Sequence, residues 1–382
     1  MGLQRGILLG TIVLLVLSLA LVESGAQNVS PARFVVKAVS GLRPRPYQPR
    51  PEATPAVNVY AATMSGVVDP RLAGFPERVY VPNSNANTVD VIDPTTFRVI
   101  DHYRVGAIPH HIAPAWDMSR LYIDNEGSSA LSVIDPTSGR ISGSIPVTFP
   151  YNLYFTPDGK KAVVVVERLS RIDFRDPQSW SLLKSVSIPF RGVDHLDFSA
   201  DGSFFMASTE YTGMVVKVDT DRMEITGSVH VGGLPIDVRL SPDGTVFYVS
   251  NQGRAGVSIV DPVALKEIAF LPTGLGAHGL LVSRDARQLY VSNRNEGSVS
   301  VIDLNTRTVA AKWHTGGSPD MLQVSPDGSQ LWYSSRYTSS VYVVDTRDGR
   351  VLATIRTGAG THGLTYFPNV GRYSLGHNGV YR

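Results

Sequence analysis

Three histidines, His110, His278 and His362, stand whole multiples of 42 residues apart, and Asp320 falls on the same count. Counting by 42 from His110 gives His110, Asn152, Asp194, Ile236, His278, Asp320 and His362. A parallel series reads Ser84, Glu126, Arg168, Glu210, Gln252, Arg294 and Arg336. Three imidazoles and a carboxylate are a donor set for zinc, copper or iron, so His110, His278, His362 and Asp320 form the candidate set for a divalent metal. With Asp194, Glu126, Arg294 and Arg336 added, the same residues form a candidate site for a small ligand, the arginines steadying an anion. The competing reading is structural. Duplication copies a histidine along with its repeat, and these histidines share the parity of the apolar series Ile112, Tyr154, Leu196, Val238, Leu280, Leu322 and Leu364. Imidazoles in that phase would bond between repeats instead of converging. His111 and His195 point the other way as supporting or packing groups, and His102, His230, His314 and His377 fall outside the series.

Other chemistry is sparse. The chain has no Cys, hence no thiol nucleophile, heme tether or disulfide. It also lacks a G-x-S-x-G elbow, a phosphate-binding P-loop and an H-E-x-x-H zinc motif. Gly-rich pieces such as 231–235 and 357–361 read as turns that need glycine's backbone freedom.

The spacing demands a repeated element, and residues 235–276 show it. Within it, 236–240, 245–250, 256–260 and 265–271 are β-prone runs separated by turns, a four-stranded meander. Ser241-Pro242-Asp243-Gly244 suits a tight turn, and Pro157, Ala200 and Pro326 are likewise followed by Asp-Gly. The Asp closing the third run recurs as Asp93, Asp135, Asp219, Asp261, Asp303 and Asp345, with Asp176 one residue early. It reads as a carboxylate satisfying loose backbone N–H groups where one strand turns into the next. A period of about 40–45 residues marks a propeller blade, so the fold class is all-β, a seven-bladed propeller of four-stranded blades.

The runs RVYVPNSNANTVDVID, RLYIDNEGSSALSVID, TVFYVSNQGRAGVSIVD and QLYVSNRNEGSVSVID resemble the YVTN family of β-propeller repeats, close to the YncE-like bacterial proteins. The resemblance implies fold, not chemistry, because its motif is a structural repeat. WD40 repeats share the period, but Trp116, Trp180, Trp313 and Trp332 occupy no common position.

The ends are out of phase. Residues 78–105 supply the second, third and fourth strands of a blade whose first strand is 361–367, so the ring closes by pairing chain ends. Residues 60–64 and 371–382 are expected around that seam. Residues 1–26 read as a signal peptide: an early Arg5, an apolar run to Val22 and the small-residue ending Ser24-Gly25-Ala26. If not cleaved, the leader acts as an anchor. Residues 27–58 form a Pro- and Arg-rich linker, and 59–382 the propeller. The first 58 residues carry a basic surplus of four, so the propeller is mildly acidic although the whole chain is +2. That excludes a strong positive field for nucleic acid, while leader and arm suit association with a cell envelope. The sequence therefore suggests an exported, monomeric propeller that binds a small ligand or protein on its polar loop face. The alternative is an enzyme using the His110, His278 and His362 arc, either a metal-assisted, lactonase-like hydrolase or a heme d1-type redox propeller.

Overall fold

The computed structural model describes residues 58–382. The leader expected at 1–26 and all of the linker except Asn58 lie outside the described residues. Seven antiparallel four-stranded sheets succeed one another around a ring. Blades 1 to 6 occupy residues 109–146, 152–187, 193–230, 235–272, 277–313 and 319–356, each with its first strand innermost. Blade 7 is composite. Strands Arg78–Asn83, Thr88–Asp93 and Arg98–Arg104 come from the beginning, and the innermost strand, Thr365–Phe367, comes from the end. Arg78 pairs with Phe367, Val79 with Tyr366 and Tyr80 with Thr365, the closure expected from the out-of-phase ends. The innermost strand is shorter than expected, and Thr361 meets Asn83 through an isolated bridge.

Burial falls from the tunnel outward. Innermost strands such as Pro235–Leu240 are buried throughout, whereas outermost ones such as Arg98–Arg104 are largely exposed. Between blades 2 and 3, Phe174, Phe198 and Phe205 interlock, with ring centroids 5.5 and 6.1 Å apart. Each such side chain contributes about 1.5–3 kcal/mol by leaving water. The Asp-Gly turns form as expected: Asp243 accepts from Thr245 N–H at 3.0 Å, and Gly244 has φ +71°. The carboxylates at the ends of the third strands accept the N–H two residues on, Asp93 from Thr95 and Asp261 from Val263, both at 2.8 Å.

Of the two segments expected at the seam, 60–64 lies elsewhere, while the tail reaches it through Tyr381, which packs against Tyr80 and Phe367 and whose hydroxyl donates to Tyr366 O at 3.4 Å. Tyr60 packs under blades 4 and 5 beside Tyr248 and Leu280, its hydroxyl donating to Leu240 O at 3.0 Å. The tail crosses the end of the tunnel where the innermost strands finish. Ser374 N–H donates to Trp116 O, Phe155 N–H donates to Leu375 O, and Arg382 pairs with Asp197 at 2.6 Å. Gly376 permits the crossing, with φ +90° and its Cα so close to Leu153 O that a Cβ would collide. The tail is not a repeat, so periodicity carries no information about where it docks.

Candidate functional site

The innermost strands of blades 1, 3, 4, 5 and 6 each contain a bulge. In blade 1, Pro109 pairs with Asn125 and Ile112 with Ile123, so His110 and His111 together face only Asp124. A bulge re-aims side chains that a regular strand would send to opposite faces. Serines fasten it in the later blades. Ser250 Oγ accepts from Asp237 N–H at 2.9 Å and donates to His278 O, while Ser292 Oγ accepts from Gly279 N–H at 2.7 Å and donates to Asp320 O at 2.6 Å. The histidines thus turn toward the tunnel although they share the apolar parity, and they also meet partners from neighbouring blades, His110 with His362 and His278 with Asp320. His110 and His111 both turn toward the tunnel, and so does His195, which contacts the rings of His111, His377 and His278.

One register assignment also changes. Pro150-Tyr151-Asn152-Leu153 matches Pro109-His110-His111-Ile112, one residue short of 42, so Tyr151 and not Asn152 is the counterpart of His110. The residue is missing from the loop before blade 2, and the early Asp176 is its signature. By the same shift Glu167, not Arg168, opens the short 3-10 turn equivalent to those beginning at Glu126 and Glu210.

Around the mouth where the innermost strands begin, the chain forms a cavity of about 270 Å³. His110, Asp194, His278, His362, Glu126, Arg294 and Arg336, all expected at this site, line it. Asp320 lies behind the wall, fully buried, with Arg294 Nη2 at 2.6 Å, His278 Nδ1 at 3.0 Å and Arg336 Nη1 at 4.0 Å. Tyr151, Glu167, Glu210, Tyr211 and Tyr337 complete the lining. Tyr151 and Glu167 were obscured by the missing residue; Tyr211 and Tyr337 lie one residue past the polar series.

The cavity is electrically divided. Blades 2 and 3 contribute Glu167, Asp194 and Glu210, whereas blades 5 and 6 contribute Arg294 and Arg336. Burial, then mutual repulsion centred on Asp194, pushes Glu167 and Glu210 up to about 7. Asp194 also rises to about 7, chiefly through burial. Opposite, burial alone would raise Asp320, but Arg294, His278 and Arg336 hold it well below the usual carboxylate range. Burial lowers the pKa of His110, His278 and His362, so their rings are neutral near pH 7, His278 reaching about 4. His110 and His362 meet through their Nδ1 atoms at 2.7 Å, one donating and one accepting, and His110 Nε2 lies 3.2 Å from Glu126. Arg168 caps that carboxylate from outside at 2.9 Å.

The expected metal set is thereby divided, His278 and Asp320 being joined by Arg294, and His110 by His362. Among the described residues, the three donors that approach one another as a potential metal set are instead His111, His195 and His377. The sequence assigned the first two to packing and gave His377 no role.

The sequence profile of a family described as the YNCE-like beta-propeller matches residues 54–372. No curated protein sequence matches the chain. Among solved structures, a functionally unknown protein from Desulfotomaculum acetoxidans superposes with TM-score 0.67 at 15% identity, over 76% of this chain and 98% of that one. A putative 6-phosphogluconolactonase from Bacteroides uniformis gives 0.63 at 16% identity, covering 76% and 99%. Dihydro-heme d1 dehydrogenase NirN in complex with DHE gives 0.60 at 14%, covering 78% and 76%. At such identities the likeness concerns the fold, which hosts unrelated functions.

Proposed function

We propose, for a chain that belongs to the YNCE-like β-propeller family, that the cavity at the tunnel mouth binds a small ligand bearing both a cationic and an anionic group, the protein serving as a binding scaffold. The division of charge across one cavity carries this reading. Arg294 and Arg336 share the single carboxylate of Asp320 and leave one positive charge in surplus, which suits a carboxylate or phosphate. Glu167, Asp194 and Glu210 face them without a cation of comparable closeness, and an ammonium group placed there would relieve the repulsion that raises them. At about 270 Å³ the space lies near the lower end of ligand pockets, about 300–1,000 Å³. That size favours a small polar molecule over a tetrapyrrole.

Calorimetric titration with small amino acids and aminoalkyl phosphates, against amines, carboxylates and phosphates bearing one charge, tests the reading. Zwitterions should bind at least tenfold more tightly than either half, with the advantage lost in Arg336→Ala and Glu210→Gln. Preference for a singly charged compound, or binding unchanged in both variants, would overturn it. Affinity for the cationic end should fall as pH drops through about 7, where the carboxyls take up protons.

A hydrolase reading other than the one on the His110, His278 and His362 arc draws on the same carboxyls, since a group titrating near neutrality suits a general base. Lactone turnover by the purified protein, abolished in Asp194→Asn, would replace the scaffold reading. Export belongs to the proposal through the leader at 1–26. A mature protein beginning at Gln27 is its expected signature, and one that still begins at Met1 would make it membrane-anchored.

A further inference from the structure

Beneath the polar cavity, His111 from blade 1, His195 from blade 3 and His377 from the tail meet across the tunnel. We propose that these three imidazoles form a separate site for one divalent transition-metal ion of the zinc class, which fastens the C-terminal tail into the propeller. Their ligand atoms lie within 4.8 Å of one another, and the ring centroids are 4.6, 4.9 and 5.3 Å apart. An ion equidistant from three atoms at the outer limit would sit roughly 2.8 Å from each. Closing to the zinc–nitrogen distance of about 2.0–2.1 Å takes less than about 1 Å of ring movement.

The second observation is the state of the rings. All three are at most 1% exposed, yet Nε2 of His111 and of His195 has no hydrogen-bond partner. An unbonded polar atom buried away from water bears its full desolvation penalty, and one cation in the gap would satisfy both nitrogens together. The neighbours set the other nitrogens. His377 Nδ1 donates to Asn152 Oδ1 at 2.9 Å, and the Asn378 amide lies 3.1 Å from His111 Nδ1. Partners of this kind orient ligating imidazoles. Asp194 Oδ1 stands 2.7 Å from His195 Nδ1, though without hydrogen-bond alignment.

The donor set defines the chemistry. Three neutral imidazoles suit zinc, copper, cobalt or nickel and exclude calcium and magnesium, which require oxygen ligands. Burial keeps all three rings in the neutral form that a metal needs. The site draws on two blades that are not adjacent and on the last residues of the chain, so it is complete only in the closed propeller with its tail inserted. Its occupant would act first as a clasp.

The test uses the full chain, stripped with a chelator and titrated with Zn²⁺, and separately loaded with Cu²⁺. One equivalent of Zn²⁺ should bind, raise the melting temperature and protect the tail from carboxypeptidase. Nitrogen hyperfine structure in the Cu²⁺ electron paramagnetic resonance spectrum should report three imidazoles, a reading that requires no variant. His377→Gln, which keeps a polar group beside Asn152, should weaken Zn²⁺ binding at least about 100-fold, while His110→Gln in the cavity above should leave it within about threefold. Absence of a stoichiometric ion would overturn the proposal. So would an ion that survives His377→Gln but is lost in His110→Gln, which would return the metal to the upper cavity.

Discussion

At Asp124 the repeat departs from its own solution. The equivalent positions in blades 3 to 6 hold Ser208, Ser250, Ser292 and Ser334, each accepting an N–H from the bulge it faces. Asp124 is fully buried with neither carboxyl oxygen hydrogen-bonded, and burial pushes its pKa well above the ordinary value. Asp124→Ser should therefore stabilise the protein by about 1–3 kcal/mol, the usual toll of an unsatisfied buried polar group. A raised folded pKa means the aspartate's contribution worsens as pH climbs above about 3.8, so the gain should be larger at pH 7 than at pH 4. Thermal melts at both values decide it, and a lower midpoint for the serine variant at pH 7 would sink the argument. His110, His278, His362 and Asp320 were legible because duplication preserved their spacing. Tyr151 was displaced by one missing loop residue that Asp176 had already betrayed, and His377 was invisible because the tail has no sister copy.

The strands themselves were legible because their alternation and turn residues repeat seven times, each copy corroborating the others. The bulges were not. An extra residue opposite one partner changes no residue type, yet it alone turns His110 and His111 toward the tunnel together. The elements at the C-terminus separate two kinds of closure. A chain ending at Phe367 keeps the pairing of Thr365–Phe367 with Arg78–Asn83 but loses His377 and the Arg382 to Asp197 pair. Removing one partner of a buried ion pair typically costs about 3–5 kcal/mol, so this truncation should stay soluble and closed while melting at lower temperature. A chain ending at Gly360 also loses the innermost strand of blade 7 and exposes a sheet edge, which invites association between copies. Size-exclusion chromatography beside thermal melts distinguishes them. Equal solubility of the two truncations, each retaining its sheet content, would show that the seam is not what closes the ring.

For the molecule as a whole, the concentration of imidazole inside one tunnel links folding to pH. His110, His111, His195, His278, His362 and His377 all have folded pKa values lowered first by burial, His195 and His278 to about 4. A lowered imidazole contributes stability that is present above its unfolded pKa of about 6.5 and lost as pH falls toward the folded value. Four carboxyls, Asp124 and Asp194 buried and the two glutamates half-buried, act in the opposite direction. Glu167, Asp194 and Glu210 at about 7, with Asp124 raised well above its usual value, favour the folded state as pH falls from about 7 to about 4.5. The glutamates are partly solvated, so their share is discounted. Six imidazoles outnumber four carboxyls, and each unmatched proton changes stability by about 1.4 kcal/mol per pH unit. The metal-free propeller should accordingly be most stable near pH 7 and lose stability as pH falls from about 6.5 toward about 4.5. Chemical denaturation at pH 7, 6 and 5 measures the slope directly. A midpoint that holds steady or rises toward pH 5 would sink this expectation, because the tunnel imidazoles would then not govern how folding depends on pH.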